Sequence, residues 1–461
     1  MIAAVGPRET YTGWMGRRGL LTVLLAGAAL LITSVSAVAS PVEMSFTSAP
    51  ITVGGYSVER AVTGNVDRPA GAGFITQMAA DVVDVNTGKQ VPISRIMLHH
   101  IVFAAYGVGP GNTAFYGDGE ERAIMKLPAG YGYPVAAAEK WAIVWMLMNH
   151  RQQTDAVKIR WRLTWDTDPN LKPVTPMSFD ASHSAQGLVY SVAGGGKVGS
   201  TDVRTQSRVA PFSGRIVAGL GHVHGGAAEL ALSEPGCGNR TIYRSSPTWG
   251  TASNPFYNVK PILHEPGPIN MSRIESETGI PVHAGEELKL SSVYDAHLPH
   301  TRVMGLMVVY IAKDDSVTSN CGKMPSDVTQ FRTTVKGRSK APVFRVPLTG
   351  IDAKGHAIEI NRPPGSTLIA GMSAELNVGD AFYSQRNISI AQGGSVTWAF
   401  GSVLQHDVTV ADGPRGFNSD WMKAGQSFTK RFDVPGTYKL FCSLHPVQMT
   451  QVVTVRPKRA G

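Results

Sequence analysis

A cysteine, a histidine three residues later and a methionine just beyond stand together in Phe441-Cys442-Ser443-Leu444-His445-Pro446-Val447-Gln448-Met449. Thiolate, imidazole and thioether are the donors of a copper ion that shuttles one electron, held by two His and one Cys with a weak axial Met. The second His belongs upstream on a neighbouring strand, and Gln405-His406-Asp407-Val408 supplies it. A buried free Cys beside an unrelated surface His is the plainer reading of a single motif. It does not account for all four ligands arriving in order.

Other histidines form weaker patterns. His222-Val223-His224 places two imidazoles on one face of a strand, roughly 7 Å apart at the backbone and close enough to chelate one ion. Structural pairs of this kind also occur. His99 and His100 are adjacent, and neighbours on a regular strand point to opposite faces. Both reach one metal only if the strand bulges there; otherwise one is a packed or surface residue. His297 and His300 read as exposed loop residues, although either could support or replace a ligand near Met304. His183, His264, His283 and His356 have no partner pattern. No GxSxG or Gly-rich phosphate loop supports hydrolase or nucleotide chemistry.

The elements that must position these residues are strands. A chain of 461 residues exceeds one core and implies two to four domains. Its 50 Gly and 29 Pro suit short strands joined by turns, and no long amphipathic helical period or fixed repeat appears. Net charge is +9, but the basic residues are dispersed, so no nucleic-acid surface is expected. Arg17-Arg18, the apolar run Gly19 to Ile32 and Ala37-Val38-Ala39 read as an export signal cleaved before Ser40. The paired Arg permits a twin-arginine route, and an uncleaved anchor is the alternative. The expected location is therefore secreted, periplasmic or cell-surface. With Cys442 given to copper, Cys237 and Cys321 remain as an even pair, expected as a disulfide outside the cytoplasm.

Strict alternation in Lys158-Ile159-Arg160-Trp161-Arg162-Leu163-Thr164-Trp165 buries Ile159, Trp161, Leu163 and Trp165 on one face and turns Arg160 and Arg162 to water. Asp166 to Asp180 reads as a proline-containing linker. Strand-like runs continue through Leu188 to Val192, Ile216 to Leu220, Leu288 to Tyr294 and Val303 to Tyr310. Val343 to Leu348 and His356 to Ile360 read as edge strands of a connector. The expected organisation is all-β: an export signal at 1–39, sandwiches at 40–175 and 176–313, a connector at 314–373, and a third sandwich at 374–457.

The third sandwich resembles the plastocyanin-like cupredoxins, on Val396-Thr397-Trp398, His406, Lys423 to Phe428, Pro435-Gly436-Thr437-Tyr438, Cys442, His445 and Met449. The resemblance implies a type 1 copper held by His406, Cys442 and His445, with Met449 axial. Multicopper oxidases flank this Cys with His; Phe441 and Ser443 stand there instead, which argues against an oxidase or nitrite-reductase arrangement.

The first two sandwiches resemble the copper type II, ascorbate-dependent monooxygenases, the peptidylglycine and dopamine hydroxylase family. The resemblance rests on Met97 to Phe103, Trp145 to His150, His222-Val223-His224-Gly225, and Met304 inside Val303 to Tyr310. It implies two type 2-like coppers. His99, His100 and His150 would hold the electron-delivering one. His222, His224 and Met304 would be catalytic, holding the copper that activates O2 beside a substrate C–H bond. The family's peptide-carboxylate partners are replaced by Leu220, Leu306 and Val308, and a buried unpaired carboxylate is costly. An apolar substrate, or one held by groups other than these three, is expected instead.

These residues together imply an exported copper monooxygenase-like oxidoreductase with a fused electron-transfer domain. Its expected partners are O2 and a small-molecule reductant or redox protein. The alternative keeps the same ligands in a non-enzymatic electron-transfer, copper storage or resistance protein. In a third reading the first two sandwiches are a scaffold and only the last site is loaded.

Overall fold

The alternating run becomes the strand Asp155–Asp166, with Ile159, Trp161 and Leu163 fully buried and Arg162 exposed. Arg160 departs from water-facing geometry by pairing with buried Asp81 on the next strand, Nε to Oδ1 at 2.8 Å. A computed structural model describes residues 40–108, 113–182, 188–251, 253–331 and 337–458. The expected export segment 1–39 and His183 lie outside them. The chain is all-β, with two short 3-10 turns, Pro235–Cys237 and Pro255–Asn258, as the only helical elements among the described residues. No helix among those residues is long and apolar enough to cross a membrane.

In the first sandwich, a sheet ordered Val42–Thr47, Asp155–Asp166, Gly73–Asp84 and Tyr131–Val135 faces a second ordered Val58–Val66, Lys140–Asn149, Ile96–Tyr106 and Thr113–Gly119. Trp141, Trp161, Phe103 and Phe115 fill the space between them. Each fully buried Phe contributes roughly 1.5–3 kcal/mol. The first sheet does not stop there. Tyr131–Val135 pairs in parallel with Lys172–Asp180, and the sheet runs on through Gly305–Lys313, Gly214–Val223, Arg273–Val282 and Thr329–Phe331. The second sandwich closes this extension with Thr201–Val209, Glu287–Asp295, Ala227–Glu234 and Arg240–Ser245.

The linker expected over Asp166 to Asp180 is therefore mostly strand, and position 175 falls inside it. Pro173 and Pro176 are tolerated because, beyond Pro173, Lys172–Asp180 is paired on one side only, with Gly305–Lys313. The expected strand at Val343 to Leu348 is absent; a hairpin of Thr349–Ile351 and Ala357–Glu359 follows it. Cys237 and Cys321 form a disulfide with S–S 2.07 Å, tying the start of the connector to the second sandwich.

The third sandwich pairs a sheet of Thr367–Ile369, Asn387–Ala391, Thr450–Arg456, Gly436–Phe441 and Thr409–Asp412 with one of Phe382–Tyr383, Ser373–Gly379, Ser395–Phe400 and Ser427–Arg431. Its core does not close on itself. Leu444, Val447 and Met449 share one apolar cluster with Tyr56, Val58, Met97, Met146 and Met148 of the first sandwich. Val58 N–H donates to Leu444 O at 3.0 Å, and Gly416 N–H to Ala193 O at 2.7 Å. The third sandwich is thus clamped against both others, the Cys442 loop meeting the first and Gly416 the second.

Candidate metal centres

The strand Gly436–Phe441 ends at Cys442, and Thr450–Arg456 begins just after Met449, so one short loop carries three of the expected ligands. Backbone bonds fix it: Cys442 N–H to Met449 O and Met449 N–H to His445 O, both 3.0 Å. Cys442 Sγ lies 3.8 Å from His406 Nδ1 and 3.9 Å from His445 Nδ1. Bond lengths of about 2.3 Å to sulfur and 2.0 Å to nitrogen, at about 120°, separate such donors by about 3.8 Å. The three side chains therefore fit one ion, and Met449 is fully buried in the same loop. His406 Nε2 is held 3.2 Å from Ser402 Oγ, which leaves Nδ1 for the metal. Burial and nearby Asp407 push the Cys442 thiol up, and burial brings His445 down to about 4. A bound metal would displace the thiol proton and find the imidazole already neutral.

Asp407 connects this site to its surroundings. It is fully buried, accepts the Ser443 N–H and the Thr409 hydroxyl at 2.6 Å each, and pairs with Arg302 at 3.3 Å.

The remaining expected ligands converge on one cluster. On Ile96–Tyr106 the pairing register shifts between Leu98 and His100, so His99 is the extra residue of a bulge. This is the condition under which adjacent histidines share a face, and His99 Nδ1 and His100 Nδ1 lie 3.3 Å apart. His222, on Gly214–Val223, and His224 just beyond it have ring centres 5.1 Å apart. The resemblance implied two separate ligand sets, yet the His99 ring lies 5.0 Å from His224 and 5.1 Å from His264. His150 approaches His264, at 6.4 Å. Met304 is buried and lines the same space as His99, His100 and His224.

Sequence reading missed three members: His264, Glu120 and Glu121. Glu120 Oε1 is 2.5 Å from His264 Nε2, and Glu121 Oε1 is 2.8 Å from His222 Nδ1. No spacing rule links His264 to residues on another sandwich; Glu120-Glu121, just after the strand Thr113–Gly119, was the only local signal. His300 is likewise buried, not exposed as expected, because its Nδ1 reaches Glu265 at 2.7 Å.

The donor chemistry fits metal. Nε2 of His150, His222 and His224 is buried without a hydrogen-bond partner among the described residues. Such orphans cost about 1–3 kcal/mol each. Meanwhile Nδ1 of His222 is held by Glu121 and that of His150 by Pro261 O at 3.3 Å, the support that orients a metal-binding imidazole. Burial drives His100 and His150 down to about 3 and lowers His99 and His224, so these rings are neutral at neutral pH. For His222 burial acts downward, but Glu121 outweighs it and the net shift is up.

Two spaces adjoin the cluster. A mostly apolar cavity of about 300 Å³ is lined by His100, His222 and Met304 at the cluster, by Leu220, Leu306 and Val308 farther along, and by Asp118, Asp180 and Arg208. On the other side, a smaller space of about 60 Å³ separates His99, His100 and His224 from Trp421 and Ser443 of the third sandwich.

Residues 370–456 match the family described as copper binding proteins, plastocyanin/azurin family. Residues 148–314 match a different family, described as stress up-regulated Nod 19. That match spans His150, His222, His224 and Met304 of the monooxygenase resemblance, leaves out His99 and His100, and does not show the monooxygenase family. Amicyanin-alpha of Methylorubrum extorquens is 27% identical over 84 residues, covering 18% of this chain and 71% of that protein. A purple cupredoxin from Nitrosopumilus maritimus is 29% identical over 18% of this chain and 99% of its own, with a TM-score of 0.17. An oxidised amicyanin mutant is 23% identical over 18% of this chain and 82% of its own, also at 0.17. Residues 370–456 are a cupredoxin domain of the plastocyanin/azurin type, a copper-binding, electron-transfer module.

Proposed function

We propose that this protein is an exported copper-dependent monooxygenase-like oxidoreductase, in which the cupredoxin domain delivers electrons to the histidine cluster. One observation carries the reading: the cluster stands between an apolar cavity and the Cys442 loop. The reaction would be R–H + O2 + 2 electrons + 2 protons giving R–OH + water, with the electrons drawn from a small reductant or redox protein. Copper in the cluster would supply the O2 activation. The chain's own residues do the rest. His222 and Met304 present the cluster to the cavity, and Leu220, Leu306 and Val308 give it an apolar wall that favours a C–H substrate, with Asp118, Asp180 and Arg208 also on its lining. The Arg17-Arg18 leader supports export, and the Cys237–Cys321 disulfide accords with an oxidising compartment.

The deciding experiment counts copper per chain and follows reductant-dependent O2 consumption with a panel of apolar substrates and glycine-extended peptides. Turnover of apolar substrates with copper beyond the cupredoxin site is expected. Loaded copper with no O2 consumption would leave an electron-transfer or storage protein. Robust turnover of glycine-extended peptides would remove the apolar-substrate reading. Cys442→Ser should abolish the blue absorption and slow turnover driven by a protein donor, with the cluster still loaded.

A further inference from the structure

We propose that His99, Glu120 and His264 form a divalent transition-metal site within the histidine cluster. Glu120 and His264 would thus be metal ligands, and His99 would serve this site rather than a set with His100 and His150. The inference rests on the cluster being a metal centre, as in the proposed function, but not on the reaction it performs.

Three donor atoms, one from each residue, lie within 4.8 Å of one another. His264 Nε2 is 2.5 Å and His99 Nε2 3.6 Å from the same oxygen, Glu120 Oε1. The carboxylate is already aimed: its other oxygen accepts the Gly267 N–H at 2.9 Å, which leaves Oε1 for the two imidazoles. The same bond pins the loop that carries His264, and Tyr257 secures Gly267 from the other side through its carbonyl at 3.0 Å.

A second observation points to a cation. The His99 ring is within 5.4 Å of three other imidazoles, those of His100, His224 and His264. His224 Nε2 and His264 Nδ1 are buried without a partner among the described residues. Neutral imidazoles supply one donor and one acceptor each, and here the nitrogens outnumber the hydrogen bonds available to them. That surplus of lone pairs suits a cation, which in the proposed site would replace the hydrogen bond between His264 Nε2 and Glu120 Oε1.

The donor set also suggests the ion's character. Two imidazoles and a carboxylate with open positions suit a divalent ion such as Fe2+, Zn2+ or Cu2+. His222, His224 and Met304 include a soft thioether and suit copper that visits Cu(I). The cluster therefore offers two unlike sites, which meet where His99 and His224 touch.

The full-length chain, stripped by chelator, is titrated with Zn2+ alone. His264→Ala and Glu120→Gln should each lose about one equivalent of bound Zn2+. The Cys442 centre, reconstituted with copper, should keep its blue absorption in both, which shows that the variants fold. His283→Ala, at a half-buried position away from the cluster and bonded to Asn320, should change nothing. In the wild-type chain, bound Zn2+ should protect His264 from diethyl pyrocarbonate, read by peptide mass, so the test survives a variant that misfolds. Wild-type Zn2+ affinity in both variants, or equal His264 labelling with and without Zn2+, would overturn the site. Loss of Zn2+ in the variants of a protein that consumes no O2 would uphold the site and sink the monooxygenase reading alone.

Discussion

His222 has one ring nitrogen tied to a carboxylate and the other buried and unpartnered. That division of labour decides which nitrogen a metal sees. Glu121→Gln keeps the shape but weakens the acceptor, and metal affinity at the His222 site should fall about 10–100-fold, measured by copper titration with the blue centre as internal reference. Leu306 tests the cavity in the same way. Leu306→Phe fills part of the 300 Å³ beside His222 and Met304 without adding a polar group. Copper content should stay at the wild-type value, while kcat/KM for an apolar substrate should fall about 10-fold or more, as expected when a few cubic ångströms decide fit. An unchanged kcat/KM would place the substrate elsewhere. The apolar character of Leu220, Leu306 and Val308 could be read from the chain; that they line one cavity could not, since it depends on how Gly214–Val223 and Gly305–Lys313 pair.

Strands set the cluster through two local irregularities. The bulge at His99 puts two adjacent imidazoles on one face, and Gly119 leaves room for His222 to approach. A Cβ on Gly119 would meet His222 Cε1 at 2.8 Å, His99 O at 2.9 Å and Glu121 Oε2 at 3.0 Å. The backbone oxygen cannot give way as a side chain can. Gly119→Ala should therefore cost about 1–3 kcal/mol of stability and lower copper loading in the cluster, as read by thermal melts and metal analysis. Full loading with an unshifted melt would mean that this approach is not needed. Period-two alternation revealed Asp155–Asp166 because each inward residue meets a dry core. A bulge breaks that period by one residue and leaves no compositional trace, so the sequence could state the condition for His99 and His100 but not whether it is met. Lys172–Asp180 shows the opposite failure: prolines suggested a linker where a half-paired strand accepts them.

At the scale of the whole molecule, the docking of three sandwiches makes the assembly more than a string of modules. The cupredoxin ligands were legible because they lie in one loop and in the segment just before the neighbouring strand Thr409–Asp412, where His406 bridges Met422 rather than standing on a strand as expected. The partnership of His264 with His99 was not, because nothing local encodes a contact between distant segments. The docking itself turns on Arg302, which takes a φ of +54° two residues before Met304, a conformation side chains rarely adopt. Its guanidinium pairs with Asp407 beside His406 and lies 3.9 Å from the centre of the Trp421 ring, while Arg60 covers that ring at 4.0 Å. Trp421 Nε1–H donates to Ser443 Oγ at 3.0 Å, one residue from Cys442, and the ring borders the space occupied by His99, His100 and His224. An indole so held stands between the Cys442 loop and the histidine cluster, where it would bridge the metal centres of the proposed function, and each cation–π contact contributes about 0.5–2 kcal/mol to keeping it there. Trp421→Leu should leave the blue absorption and the cluster's copper content unchanged while slowing electron exchange between the centres about 10-fold or more, equivalent to about 1.4 kcal/mol in the barrier. The measurement is anaerobic: photoreduce the fully loaded chain and follow return of the blue absorption as the electron leaves the Cys442 centre. Removing the ring also brings the Arg60 and Arg302 charges face to face, so raised salt should restore any rate lost to loosened docking. A deficit that persists at high salt is the expected result, and a wild-type rate would exclude Trp421 from the route.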